Sequence, residues 1–238
     1  MINLKNQMNK KRIDFNQPPK HFINITPYWL LGFVEGDGYF SINTSDYSLK
    51  FGIGQTYQET NVLEAIQTFI LDLPGKYLVK RKNTNIVKVA TYDQGKGPNH
   101  KPMTYISINQ IDFLTNVIAP FFDNLIWLSK KEKDYKDWKL ILNIVKQGKH
   151  FTDEGKELIS LITNRMNNNR LSTNLSKEIA ASSSLISLEE RISKFLSSPS
   201  NYELQPDGKI LIKSSGTYLK GRGNVGVNVL DENGEIVI

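Results

Sequence analysis

Cysteine is absent from the 238 residues, which excludes disulfides and thiolate-bound metal. Histidine is scarce as well, and its three scattered copies argue against a His-based zinc site. No apolar run is long enough to span a membrane, and the Asn- and Lys-rich start lacks the apolar core of a secretory signal, so no membrane is expected as a partner. What is present is 39% apolar content, enough for a full core in one domain of ordinary size plus an appendage. A net charge of +6 suits a polyanionic partner without establishing one.

The densest stretch runs from Thr26 to Ile42. Thr26 can cap a helix, and Pro27 fits the first helical position, where its missing N–H costs nothing. Trp29 to Val34 is apolar except for Gly32, and Gly32 and Gly36 share one helix face. Each glycine weakens a helix interior by about 1 kcal/mol relative to alanine, so the pair implies close approach by something, most naturally a second helix. Tyr39 to Asn43 then alternate with the period of a half-buried strand. Asp37 therefore sits at a helix C-terminus, where the dipole disfavours an ionised carboxylate and a bound cation would relieve the penalty. Its oxygens, with a free carbonyl of the last turn, suit Mg²⁺ or Ca²⁺. Asp37-Gly38 also reads simply as a turn.

The chain continues with Leu49 to Gln55, a second alternating strand whose Leu49, Phe51 and Ile53 point inward, after a turn at Asp46 to Ser48. A helix is expected over Glu59 to Leu71. Tyr77 to Lys82 and Val87 to Thr91 read as a second strand pair around Asn83 to Asn85, followed by a loop from Gln94 to Pro102 and a strand from Thr104 to Asn109. Helices are expected over Asp112 to Phe122, Ser129 to Lys146 with Tyr135, Trp138, Ile141, Leu142 and Val145 buried, and Phe151 to Asn167 from a Thr152 cap. This order is α+β, with a sheet whose second face is unusually polar.

Leu30-Leu-Gly-Phe-Val-Glu-Gly-Asp-Gly38 resembles the LAGLIDADG motif of homing endonucleases, identical at Leu30, Gly32, Asp37 and Gly38. The element order resembles that family's αββαββα core over roughly residues 25 to 172, with a saddle-shaped antiparallel sheet. Gly54-Gln55, Pro120-Phe-Phe-Asp123, Leu128-Ser-Lys-Lys131, the Trp138 helix and His150 to Gly155 resemble its fungal intron-encoded branch.

The resemblance implies a DNA endonuclease whose two motif helices pack side by side, making Gly32 and Gly36 the contact positions. It implies Asp37 as a divalent-metal ligand with the Gly36 carbonyl as a second donor, the ion being Mg²⁺ with Ca²⁺ or Mn²⁺ able to substitute. Gln55 is expected to orient the attacking water and Lys131 to stabilise charge near the phosphate, with Lys130 adjacent as the alternative. Sequence recognition of a long double-stranded DNA site is expected on the polar sheet face. That face carries Tyr39, Ser41, Asn43, Lys50, Gly52 and Gly54 on the first hairpin, and Lys80, Arg81, Lys82, Asn85 and Lys88 beyond it.

A single motif is found, which implies one half-site per chain. A homodimer on a nearly palindromic site and the C-terminal half of a two-motif protein both meet that requirement. A group I intron RNA maturase and a purely structural dimeric DNA-binding protein remain alternative functions of the same surface. The resemblance and the Asn-, Ile- and Lys-rich composition imply mitochondrial residence. Residues 1–24 read as a basic extension or linker, 25–172 as the endonuclease domain, and 173–238 as a Ser- and Asn-rich linker with a small β-rich appendage. That appendage has one helix near Ser187 to Leu196, a basic patch at Lys220 to Gly223, and an expected auxiliary contact with DNA.

Overall fold

A computed structural model describes residues 23–77, 85–93, 101–166 and 188–219, with the backbone of 229–230 and 236–237. Helix α1 spans Pro27–Asp37, with Pro27 in the first turn and Thr26 Oγ1 accepting from the Trp29 amide at 3.3 Å. Leu30, Leu31 and Val34 are buried. The chain then passes directly into strand β1, Gly38–Asn43. Only glycine fits this junction, because a Cβ on Gly38 would lie 2.7 Å from both the Val34 side chain and its carbonyl.

Strands β1, β2 (Ser48–Thr56), β3 (Lys88–Tyr92) and β4 (Met103–Ile108) form one antiparallel sheet in the order β1-β2-β4-β3. The β1–β2 turn is fixed by Asp46, which accepts from the Ser48 amide and hydroxyl at 3.0 and 2.7 Å. For the expected pairing of Val87–Thr91 with Tyr77–Lys82, the second segment lies, apart from Tyr77, outside the described residues. Strand β3 pairs with β4, where Val89 meets Ile106 on the apolar face and the Thr91 and Thr104 hydroxyls bond at 2.8 Å. Tyr77 lies outside any strand, its ring 4.7 Å from Phe113, and residues 78–84 fall outside the described ones.

Helices cover the face built from Phe40, Leu49, Phe51, Ile53, Ile106 and Ile108, all fully buried. Helix α2, Thr60–Leu71, contributes Leu63, Ile66 and Ile70. Helix α3 runs through Ile111–Phe113, a π turn at Leu114–Ile118, and Ala119–Asp123. The turn widens just before Pro120, which has no amide hydrogen to return to the helix. Helix α4, Lys131–Lys146, buries Tyr135, Trp138, Ile141, Leu142 and Val145, as its periodicity requires. Phe40 sits at the centre of an aromatic cluster, 5.2 Å from both Phe51 and Trp138 and 5.9 Å from Phe122. Helix α5, Asp153–Asn164, starts at Thr152, which accepts from the Gly155 amide at 3.1 Å.

The described part of the C-terminal region is fastened to this core. Helix α6, residues 188–197, buries Ile192, and hairpin strands β5 (Tyr202–Leu204), β6 (Ile210–Ile212) and β7 (Thr217–Tyr218) follow. A further pair, β8 (Val229–Leu230) and β9 (Ile236–Val237), is antiparallel. The buried Lys149 ammonium caps the end of α6, donating to the carbonyls of Phe195, Leu196 and Ser198. The Asn201 amide reaches the Gly148 carbonyl at 2.8 Å. Deleting residues 174 to 238 would therefore uncover core side chains as well as remove an appendage.

His150 lies in the same corner, 3% exposed between Tyr47 and Phe151. Burial pushes its imidazole down to about 4, a carbonyl bond at Val145 opposing the shift. The folded chain thus resists a proton that the unfolded chain accepts near 6.5. Stability from this group is full above pH 6.5 and is lost as pH falls toward 4, about 3 kcal/mol in all. Urea midpoints across that range should show the loss, and His150→Phe should flatten it.

Candidate active site and nucleic-acid interface

The end of α1 brings three expected residues together. Asp37 is the last helical residue and is exposed, and its Oδ2 accepts from Gln55 Nε2 at 2.7 Å. Gln55 comes from the end of β2, on the strand face turned toward the helices, which is why it can reach Asp37. Lys131, the first residue of α4, donates its Nζ to the Gly38 carbonyl at 2.7 Å, one residue beyond Asp37. Of the adjacent lysines, Lys131 is the one that returns to this junction, and Lys130 is the exposed residue preceding α4.

Glu35 completes the arrangement from the other side. Its Oε1 accepts the amides of Leu128 and Ser129 at 2.8 and 2.7 Å, tying the approach to α4 onto α1. The sequence marks Glu35 only as an acid within the motif; its partners lie more than ninety residues away, beyond any local signal.

Among the described residues, no three Asp, Glu or His side chains converge on one point. Glu35 is committed to main-chain amides, so one chain brings a single carboxylate, Asp37, beside the helix-terminal carbonyls. Such donors suit a hard divalent cation in kind, and a second carboxylate and phosphate oxygens would supply the number.

Gly32 and Gly36 are exposed on α1, and a Cβ built on either meets nothing within 4 Å. No described part of this chain approaches them. Trp29, 40% exposed and stacked on Phe33 at 5.1 Å, adds apolar surface to the same helix.

Strand register sorts the proposed DNA-reading residues. Tyr39, Ser41, Asn43, Lys50 and Lys88 share the sheet face away from the helices. Asn43 is exposed, and its side-chain oxygen accepts from the Ser45 amide and hydroxyl, which occupies it in the hairpin turn. Gly52 requires correction as an exposed position: it is buried, because the Tyr39 ring lies across it. Asn85 precedes β3, is exposed, and its side-chain oxygen accepts from Gln67 of α2 at 3.4 Å. Lys80, Arg81 and Lys82 lie outside the described residues. The same register places Tyr105, Ser107, Met103 and Tyr92 on the polar face. The alternation of Thr104-Tyr-Ile-Ser-Ile108 carries that signal for Tyr105 and Ser107.

Comparison with known proteins follows the same outline. Residues 30–142 match the family model described as LAGLIDADG endonuclease. The uncharacterized mitochondrial protein RF1 of Saccharomyces cerevisiae is 29% identical over 191 residues, covering 75% of this chain and 39% of that protein. Probable intron-encoded endonuclease 3 of Neurospora crassa is 28% identical over 143 residues, covering 59% of this chain and 24% of that protein. The chain thus spans well under half the length of these curated relatives. Among solved structures, meganuclease I-SmaMI bound to uncleavable DNA matches with a TM-score of 0.50 at 24% identity, over 68% of this chain and 52% of that one. LAGLIDADG meganuclease I-CpaMI bound to uncleaved DNA matches with a TM-score of 0.50 at 24% identity, over 70% and 54%. The fold described above is therefore shared by about half of each of those chains.

Proposed function

Because the chain belongs to the LAGLIDADG homing endonuclease family, we propose that it is a site-specific DNA endonuclease of intron homing, acting through two motif aspartates brought together by paired α1 helices. The observation that carries this reading is Asp37 itself: exposed at the end of a helix whose glycine face is open, held by Gln55, and flanked by Lys131. A lone carboxylate at that place has no structural duty in the core.

In the proposed reaction, water adds to the scissile phosphorus and gives up a proton to solvent, and the bond to the leaving oxygen breaks as that oxygen takes a proton from solvent. Gln55 fixes the Asp37 carboxylate through its amide nitrogen, and its carbonyl oxygen would accept from the attacking water. Lys131, already at the junction, would place positive charge where the phosphate gains negative charge. Asp37 and the Gly36 carbonyl would hold Mg²⁺, with Ca²⁺ or Mn²⁺ able to substitute, and the bound cation supplies charge neutralisation at the phosphate. Lys50 and Lys88 on the sheet face supply phosphate or guanine contacts in the major groove.

Pairing supplies the second carboxylate. The partner is a second copy on a nearly palindromic site or an upstream half of a longer chain, and the greater length of the curated relatives leaves room for the latter. The name of the Saccharomyces cerevisiae relative, a mitochondrial protein, supports mitochondrial residence.

The test is digestion of a duplex carrying the uninterrupted insertion site of its intron. Double-strand cutting should require Mg²⁺, stop on chelation and resume when Mg²⁺ is restored. No cutting, together with tight binding of the intron RNA, would replace this reading with a group I intron maturase.

A further inference from the structure

The strand register divides the polar sheet face into two chemically different halves. Farthest from Asp37 lies Ser41 opposite Lys50, and the next row runs through Tyr39, Gly52, Ser107 and Lys88. Nearer to Asp37, Tyr105 is flanked by Gly54 and Ala90, and Met103 by Thr56 and Tyr92. Tyr39 adjoins this half at the start of β1. Among the described residues, Lys50 stands at one end and the rings crowd the other, with Lys88 between them, its ammonium 6.0 Å from the centre of the Tyr92 ring.

The two inner rings are seated on glycine. A Cβ on Gly52 would lie 2.4 Å from the Tyr39 ring, and one on Gly54 would lie 2.7 Å from the Tyr105 ring. Both rings therefore rest against bare backbone, and any larger residue beneath would lift them. Tyr39 also shares a side-chain hydrogen bond with Ser107, which commits its hydroxyl within the sheet. Tyr92 extends the patch, its ring 6.1 Å from Tyr105 and 41% exposed.

We propose that this aromatic half-face, Tyr39, Tyr105 and Tyr92 with Ala90 and Met103, reads the 5-methyl groups of thymines in the major groove beside the cleavage point. The inference rests on the endonuclease reading and specifies what that site recognises. The thymine methyl is the one apolar group that a base pair presents in the major groove, and apolar side chains are its natural partners. The occupant follows from continuity. The patch adjoins Asp37 at one end and Ser41 and Lys50 at the other, and Lys88 at its side is suited to phosphate, so duplex lying along Lys50 crosses the tyrosines before reaching the carboxylate. Seating the rings in advance lowers the ordering cost of the contact.

The experiment uses the native full chain and a duplex recovered from a randomised library by binding without Mg²⁺. Affinity is then compared for that duplex made with thymidine and with deoxyuridine at single positions. Substitution within the base pairs flanking the cut should weaken binding roughly fourfold per contacted methyl, equivalent to ~0.8 kcal/mol per buried carbon. Substitution under Ser41 and Lys50 should have no effect. Tyr105→Ser and Tyr92→Ser should each reduce the discrimination, and because the DNA is altered rather than the protein, the native comparison stands even if a variant fails to fold. Equal affinity for thymidine and deoxyuridine duplexes would overturn the inference while leaving the endonuclease reading intact. Failure to recover any bound duplex would overturn both.

Discussion

Asp37→Asn is expected to leave the fold unchanged and to lower strand cleavage by at least about a thousandfold, the several kcal/mol associated with losing charge stabilisation at a transferring phosphate. Asp37 is exposed, and its bond to Gln55 at 2.7 Å survives in kind, because an asparagine oxygen accepts from the same amide. What disappears is the one carboxylate that each chain contributes. DNA affinity should be retained, since the lysines lie on the sheet face away from this junction. Single-turnover cleavage beside equilibrium binding separates the two effects, and cleavage within tenfold of the native rate would remove Asp37 from the chemistry.

Substitution of the α1 glycines should split stability from activity, with opposite signs. Nothing in the described chain lies within 4 Å of a Cβ at Gly32 or Gly36, so alanine at each should stabilise the isolated chain by about 0.5–1 kcal/mol through helix propensity. Against a closely packed second helix, the same methyls should cost about 1–3 kcal/mol each by overpacking. The double variant should therefore unfold at higher urea, dissociate more readily and cut less. If association and cutting are unchanged, these glycines are not at the pairing surface.

Several features were legible in the sequence because they are local. The Thr26 cap, Pro27 at the helix start, the spacing of Leu30, Leu31 and Val34, and the two-residue alternation of β1 and β2 all report the backbone that surrounds them. The same is true of the buried face of α4. Pairing was harder to read. Val87–Thr91 has no residue that names its partner, and its pairing with β4 rests on Val89 meeting Ile106 and Thr91 meeting Thr104 across a connection of ten residues. The π turn before Pro120 and the docking of α6 through Lys149 likewise depend on contacts that sequence spacing does not display.

The site divides in the same way. Asp37 was legible from its place between helix and strand, whereas Gln55 and Lys131 came only with the family resemblance. Their approach to Asp37 and Gly38 depends on β2 ending, and α4 beginning, beside the same junction. Glu35 could not be placed, because both of its partners are main-chain amides with no side-chain signature. Gly52 looked like an outward strand position, and alternation did put it on that face; the Tyr39 ring above it is what buries it.

The most direct measurement is the mass of the protein–DNA complex that yields a double-strand break, obtained by light scattering before Mg²⁺ is added. Two 27.1 kDa chains per duplex, with both strands cut on addition of the metal, is the predicted result. One chain per duplex, with both strands still cut, would contradict the pairing of two Asp37 carboxylates across α1.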